Sequence, residues 1–168
     1  MTMLRNKCAI LGVDPTPRGL AFVSFEDGVV QDWGTRLANS PEDALRGLDV
    51  LLRLCGSEVL VVEDADAPGC IRRARIRLVL RQLVRHARTR GIETVTVPRE
   101  SVYEAWRTRG ATNKYVIAQQ IGRDFPELEP LVPKPRKHYD IEPAKVQLFD
   151  AASLVLHAFD AEENCSAA

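Results

Sequence analysis

The chain has 168 residues, 45% hydrophobic and 27% charged, with 23 Lys/Arg exactly balanced by 23 Asp/Glu. That length and balance suit one globular domain, residues 1–168, with room for a proper core. No apolar run approaches the eighteen or so residues of a membrane span, and residues 1–7 lack the apolar centre of a secretory signal. A cytoplasmic protein without membrane contact is expected, its termini frayed over about 1–6 and 161–168.

The neutral total hides a segregation. Residues 1–67 hold 6 Lys/Arg against 11 Asp/Glu, residues 68–114 hold 12 against 3, and residues 115–168 hold 5 against 9. Carboxylates that collect metal and a basic surface that collects phosphate would give this pattern. A solvated arginine-rich helix would give the basic middle equally well. Cys8, Cys55, Cys70 and Cys165 are far apart with no Cys-x-x-Cys pair, which reads as reduced thiols and neither a zinc site nor a disulfide frame.

In chain order, Cys8–Asp14 is a short apolar run cut off by Pro15-Thr16-Pro17, the mark of a buried strand. Residues 20–25 and 29–35 read as the next two strands, joined by a hairpin at Asp27-Gly28. Ser40-Pro41-Glu42-Asp43 opens a helix to about Leu54, with Ser40 as cap and Pro41 at its first position. Val59–Asp64 is a fourth strand. Ile71–Arg90 is the longest helical pattern, with Ile76, Leu80, Leu83 and Ala87 on one face and arginines on another. Residues 93–97 form a fifth strand, and short helices follow over about 101–107 and 112–121. Pro126, Pro130, Pro133 and Pro135 make 125–135 an extended crossing. A final helix runs from about Pro143 to Phe159. An antiparallel meander followed by helix-linked strands predicts a mixed α/β sheet with helices on both faces.

Two of these strands, the first and the fourth, end in carboxylates, Asp14 and Glu63. If they lie side by side in parallel, both acids emerge at one edge. Taken alone, Asp14 serves equally as a turn residue ahead of Pro15. The final helix carries Asp150 between Leu148-Phe149 and Ala151-Ala152, a setting in which a carboxylate is costly unless paired or bound to metal. Three converging carboxylates meet the needs of two-metal phosphodiester hydrolysis, for which Mg²⁺ requires oxygen ligands only.

At these residues the chain resembles the RuvC-like nucleases of the ribonuclease H fold. Ile10-Leu11-Gly12-Val13-Asp14-Pro15 is similar to the family's first motif, Val61-Val62-Glu63 to its second, and Phe149-Asp150-Ala151-Ala152 to its final helix. The segment Val102–Lys114 is similar to its lysine-bearing stretch. The resemblance covers roughly residues 8–160. It implies a five-stranded mixed sheet, a divalent-metal-dependent endonuclease using two Mg²⁺ or Mn²⁺ ions and no nucleotide cofactor, and branched DNA of the Holliday-junction type cut by a homodimer.

It further implies that Asp14 bridges two metals, Glu63 holds one or both, Asp150 completes the set, and Lys114 contacts the scissile phosphate. Gln147 and Ser153 stand where the family places a further ligand three residues from Asp150, and Tyr103 replaces its second lysine. Asp64, Asp140, Glu142 and His157 are the candidates for a fourth ligand. Arg73, Arg77, Arg81, Arg107, Lys114, Arg136 and Lys137 are candidates for nucleic-acid contact, with Arg72 and Arg75 beside them. The alternatives are a catalytically weak nucleic-acid-binding module and an RNA-processing nuclease of the same fold.

Overall fold

Every side chain of Ile10 to Thr16 is buried, so this run must lie inside a sheet and not at its rim. The computed structural model describes residues 9–134 and 145–166, with side chains to residue 161. It places β1 (Ala9–Thr16) at the centre of five strands ordered β3-β2-β1-β4-β5. β1, β2 (Gly19–Glu26) and β3 (Val29–Leu37) form the antiparallel meander, while β4 (Val59–Glu63) and β5 (Glu93–Val97) run parallel to β1. Asp27 and Gly28 both take positive φ, 52° and 78°, in the two-residue turn between β2 and β3.

The expected mixed sheet with its antiparallel and parallel halves is the one observed. β1 runs two residues further than expected, through Pro15. Its parallel pairing with β4 stops at Val13, so the missing N–H of Pro15 falls where β1 has only β2 as a neighbour.

Alternation along the strands sends side chains into two cores. Leu11, Val13, Leu60 and Val62 face α1 (Pro41–Leu54) and α2 (Ala74–Thr89). Ile10, Val59, Val61 and Val97 face α3 (Arg99–Thr108), α4 (Lys114–Asp124) and α5 (Val146–Ser166). The Ser40 hydroxyl caps α1 by accepting from the Asp43 N–H at 3.1 Å, and the Asn113 side chain caps α4 through the Val116 N–H at 3.0 Å.

β3, α3 and α4 are each shifted by one to three residues from expectation, and further differences lie elsewhere. α2 begins at Ala74 and not near Ile71, because the preceding residues form a loop that turns Arg72 inward. The proline-rich crossing holds a short 3₁₀ turn at Glu129–Leu131, with Leu128 buried under it. The backbone of α5 continues to Ser166, beyond the expected end at Phe159.

α5 lies directly on β1. A Cβ on Gly12 would stand 2.5 Å from Val155 Cγ2 and 2.8 Å from the Ala151 carbonyl oxygen. Only a glycine on the strand, opposite small residues on the helix, allows this approach. It carries Asp150 to the end of β1.

Candidate active site

Alternation that puts Ile10 and Gly12 on the α5 side puts Asp14 there too, and by the same rule Glu63 follows Val59 and Val61. The register pairs Val13 with Val62, so the two acids emerge one step beyond, at the carboxyl ends of adjacent parallel strands. Asp150 arrives from α5. The three carboxylates are 1%, 2% and 7% exposed. Lys114, at the start of α4, donates from Nζ to Asp150 Oδ2 at 2.8 Å. Asp14, Glu63, Asp150 and Lys114, expected to share a site, lie together at this edge of the sheet.

Two arginines join them. Arg72 Nε donates to Glu63 Oε2 at 2.7 Å, and its Nη2 bonds Asp14 Oδ1. Arg99 makes the same two contacts, at 2.8 Å each, and its Nη1 lies 3.6 Å from Asp150 Oδ2. Arg72 stands among the residues expected to meet a nucleic-acid backbone, yet it faces the acids. Arg99 was not anticipated. The signal was its position, two residues past the end of β5, since the carboxyl ends of three parallel strands gather at one edge.

Burial pushes the Asp14 carboxyl up to about 6, only partly offset by Arg99 and Arg72, while Asp150 and Glu63 push the same way as burial. Burial works against the charge of Arg99, but Asp14, Asp150 and Glu63 outweigh it and hold the guanidinium above its ordinary range. Among the described residues, three carboxylates face three cationic side chains, a balanced cluster. Asp14 Oδ2 is buried and has no hydrogen-bond partner among the described residues.

The donor set suits a hard divalent cation, being oxygen-only with one buried oxygen unclaimed. The present spacing is set by arginine: among the described residues, no three Asp, Glu, His or Cys side chains stand close enough to hold one ion.

The other expected residues divide. Asp64 Oδ1 accepts from the Asp66 N–H at 2.9 Å in a local turn. His157 has Asp160 and Arg109 as its charged neighbours, not the three acids. Arg77 donates to the Ala65 carbonyl at 2.9 Å, and Arg81 pairs with Asp66. Arg73 is exposed. Arg107 pairs with Glu104 at 2.7 Å and, with Tyr103, walls two clefts of about 210 and 320 Å³, one reaching Glu63 and the other Lys114. Trp106 is buried in the core. His86 is half-buried and bonds Asp49 at 2.8 Å, tying α2 to α1. Arg136, Lys137, His138, Asp140 and Glu142 lie outside the described residues.

Among the described residues, no helix is long and apolar enough to cross a membrane. No family model matches the sequence, and no curated protein sequence matches it. Solved structures do match in shape. RuvC of Thermus thermophilus superposes with a TM-score of 0.60 at 18% identity, covering 93% of this chain and 96% of that one. The same organism's RuvC in complex with a Holliday junction substrate gives 0.59 at 14% identity, with the same two coverages. The yeast mitochondrial Holliday junction resolvase Ydc2 gives 0.63 at 13% identity, covering 94% of this chain and 80% of that one. The strand order, the helices on both faces and these superpositions together identify the fold as the RuvC-like form of the ribonuclease H fold.

Proposed function

We propose that the protein is a divalent-metal-dependent endonuclease that hydrolyses phosphodiester bonds in branched DNA of the Holliday-junction type. One observation carries this reading: three buried carboxylates converge from β1, β4 and α5, with Lys114 alongside. Burying such a cluster has no structural return large enough to explain it, because apolar side chains would fill the same space at less cost. Buried acids grouped this way are a functional signature.

Asp14, Glu63 and Asp150 would hold two Mg²⁺ or Mn²⁺ ions, which when bound supply the acidity that activates water and positive charge for the leaving oxygen. Lys114 offsets the charge that builds on the scissile phosphate. Tyr103 and Arg107 line the path between Glu63 and Lys114 and position the backbone of the strand. A homodimer would present two such sites to opposite strands of a symmetric junction.

The test is cleavage of a labelled four-way DNA junction, a matched duplex and single-stranded RNA, with Mg²⁺, Mn²⁺ or chelator. Wild type should cut the junction only with metal, and Asp14→Asn should abolish cutting while junction binding persists. Cleavage of RNA alone would keep the chemistry and change the substrate.

A second reading has an observation of its own. Arg99 pairs with all three acids at once and so stands as a resident cation among them. A module that binds junctions without cutting them accounts for that pairing. It predicts binding in every metal and cleavage in none.

A further inference from the structure

The two arginines that cover the carboxylates are not held alike. Arg99 is the first residue of α3, is the more buried of the two, and reaches Asp14, Glu63 and Asp150. Arg72 sits in the loop between β4 and α2 and reaches only Asp14 and Glu63. Its neighbours give the loop little to hold on to. Ile71 is 91% exposed, Arg73 is exposed, and Gly69 turns the chain at φ 79°. The inward pull on this stretch comes mainly from the ion pairs of Arg72, with the half-buried Cys70 thiol, 3.9 Å from Glu63 Oε1, as a weaker second tie.

Those pairs also set the charge of the site. With Arg72 in place the three acids are matched, among the described residues, by Arg72, Arg99 and Lys114, so a divalent cation gains little on entering. With Arg72 withdrawn, one net negative charge returns and Asp14 Oδ1 and Glu63 Oε2 each lose a donor, beside the unclaimed Asp14 Oδ2. A guanidinium binds a phosphodiester as well as it binds a carboxylate, by the same fork of N–H donors. The backbone of a seated strand is therefore a competing partner for Arg72 at the mouth of the site.

We infer that Arg72 is a substrate-released latch: it closes the carboxylate cluster in the free protein and transfers to a nucleic-acid phosphate when a strand is seated, so that divalent-cation binding is coupled to substrate binding. This rests on the metal-dependent reading above. The coupling is reciprocal, so the cation also tightens the hold on the strand.

The test measures Mn²⁺ binding to the full chain from the loss of the free-ion electron paramagnetic resonance signal, with and without a four-way DNA junction. Wild type, Arg72→Gln, Arg72→Lys and Asp14→Asn are compared, each checked for an intact thermal transition. Free Arg72→Gln should bind Mn²⁺ about tenfold or more tightly than free wild type, since one positive charge has left the site. Arg72→Lys should fall between them, because a single ammonium cannot bridge both acids as the fork does. The junction should tighten Mn²⁺ binding to wild type by a larger factor than it tightens that of Arg72→Gln, since only wild type also has the latch to release.

Equal affinity in free wild type and free Arg72→Gln, or equal tightening of both by the junction, overturns the latch while leaving the metal site standing. Binding that Asp14→Asn does not weaken, or no Mn²⁺ binding in any variant with the junction present, overturns the metal-dependent reading and the latch with it.

Discussion

Gly12 on β1 and Ala151 on α5 meet so closely that a methyl group has no place between them: a Cβ on the glycine would lie 2.8 Å from the Ala151 carbonyl oxygen. Gly12→Ala must push α5 off the sheet or bend β1. It should destabilise the protein by about 1–3 kcal/mol, read from urea denaturation midpoints. The same shift moves Asp150 away from Asp14, so cleavage should fall more than the loss of folded protein accounts for.

Lys114 touches Asp150 and faces the cleft walled by Tyr103 and Arg107. If it offsets charge on the reacting phosphate, Lys114→Ala should slow junction cleavage by about 10²–10³-fold. Junction affinity should change by less than tenfold. A loss in binding as large as the loss in rate would make Lys114 a backbone contact and not a catalytic residue.

How much of this site was legible in the sequence follows from which interactions are local. Asp14 and Glu63 announce themselves because each ends a short apolar strand, and Asp150 because a lone acid among alanines and aromatics is costly. Ser40, Pro41 and the Asp27-Gly28 turn mark their elements through chemistry confined to four residues. Arg99 carries no such mark. Its role depends on β5 lying next to β4, which places residue 99 beside residues 14 and 63, and nothing within a few residues of it encodes that. Arg72 was hidden differently: no Pro or Gly between Ile71 and Ala74 marks a helix start there, whereas the ion pairs with Asp14 and Glu63 pull that turn out of the helix.

His157 is half-buried, and its Nδ1 is buried without a hydrogen-bond partner among the described residues. Burial holds it below the ordinary histidine range, with Arg109 adding to that and Asp160 opposing it. The unfolded chain therefore takes up this proton at a higher pH than the folded one. The stability His157 lends is complete above about pH 6.5 and is lost as pH falls below that value. Asp14, its carboxyl raised to about 6, contributes in the opposite sense as it protonates, so the effect of His157 is read as a difference. Between pH 7.5 and 5.5 wild type should lose stability relative to His157→Gln, measured by denaturation midpoints. An unchanged difference would assign the pH dependence to other groups.

Arg73 is exposed at the end of the loop that carries Arg72, and it makes no ion pair among the described residues. As a phosphate contact it should contribute one charge to the salt dependence of junction binding. Arg73→Gln should weaken binding similarly for junction and duplex and reduce the slope of log K against log salt by about 1. The exposed Arg46, paired with Asp43 on α1, supplies the control, and Arg46→Gln should leave the slope unchanged.

The placement of α5 across the sheet also orders events during synthesis. Residues 9 to 97 contain all five strands and can pair as they leave the ribosome, but Asp150 and the wall that buries Asp14 and Glu63 come more than fifty residues later. Until then the face that α5 will cover, including Val23, Phe25, Val59 and Val61, has no lid. A nascent chain stalled before α5 would hold a formed sheet with its acids in water and an apolar surface open to chaperones or to other chains. Completing the carboxylate cluster and hiding that surface are thus the same step, taken when the last helix docks.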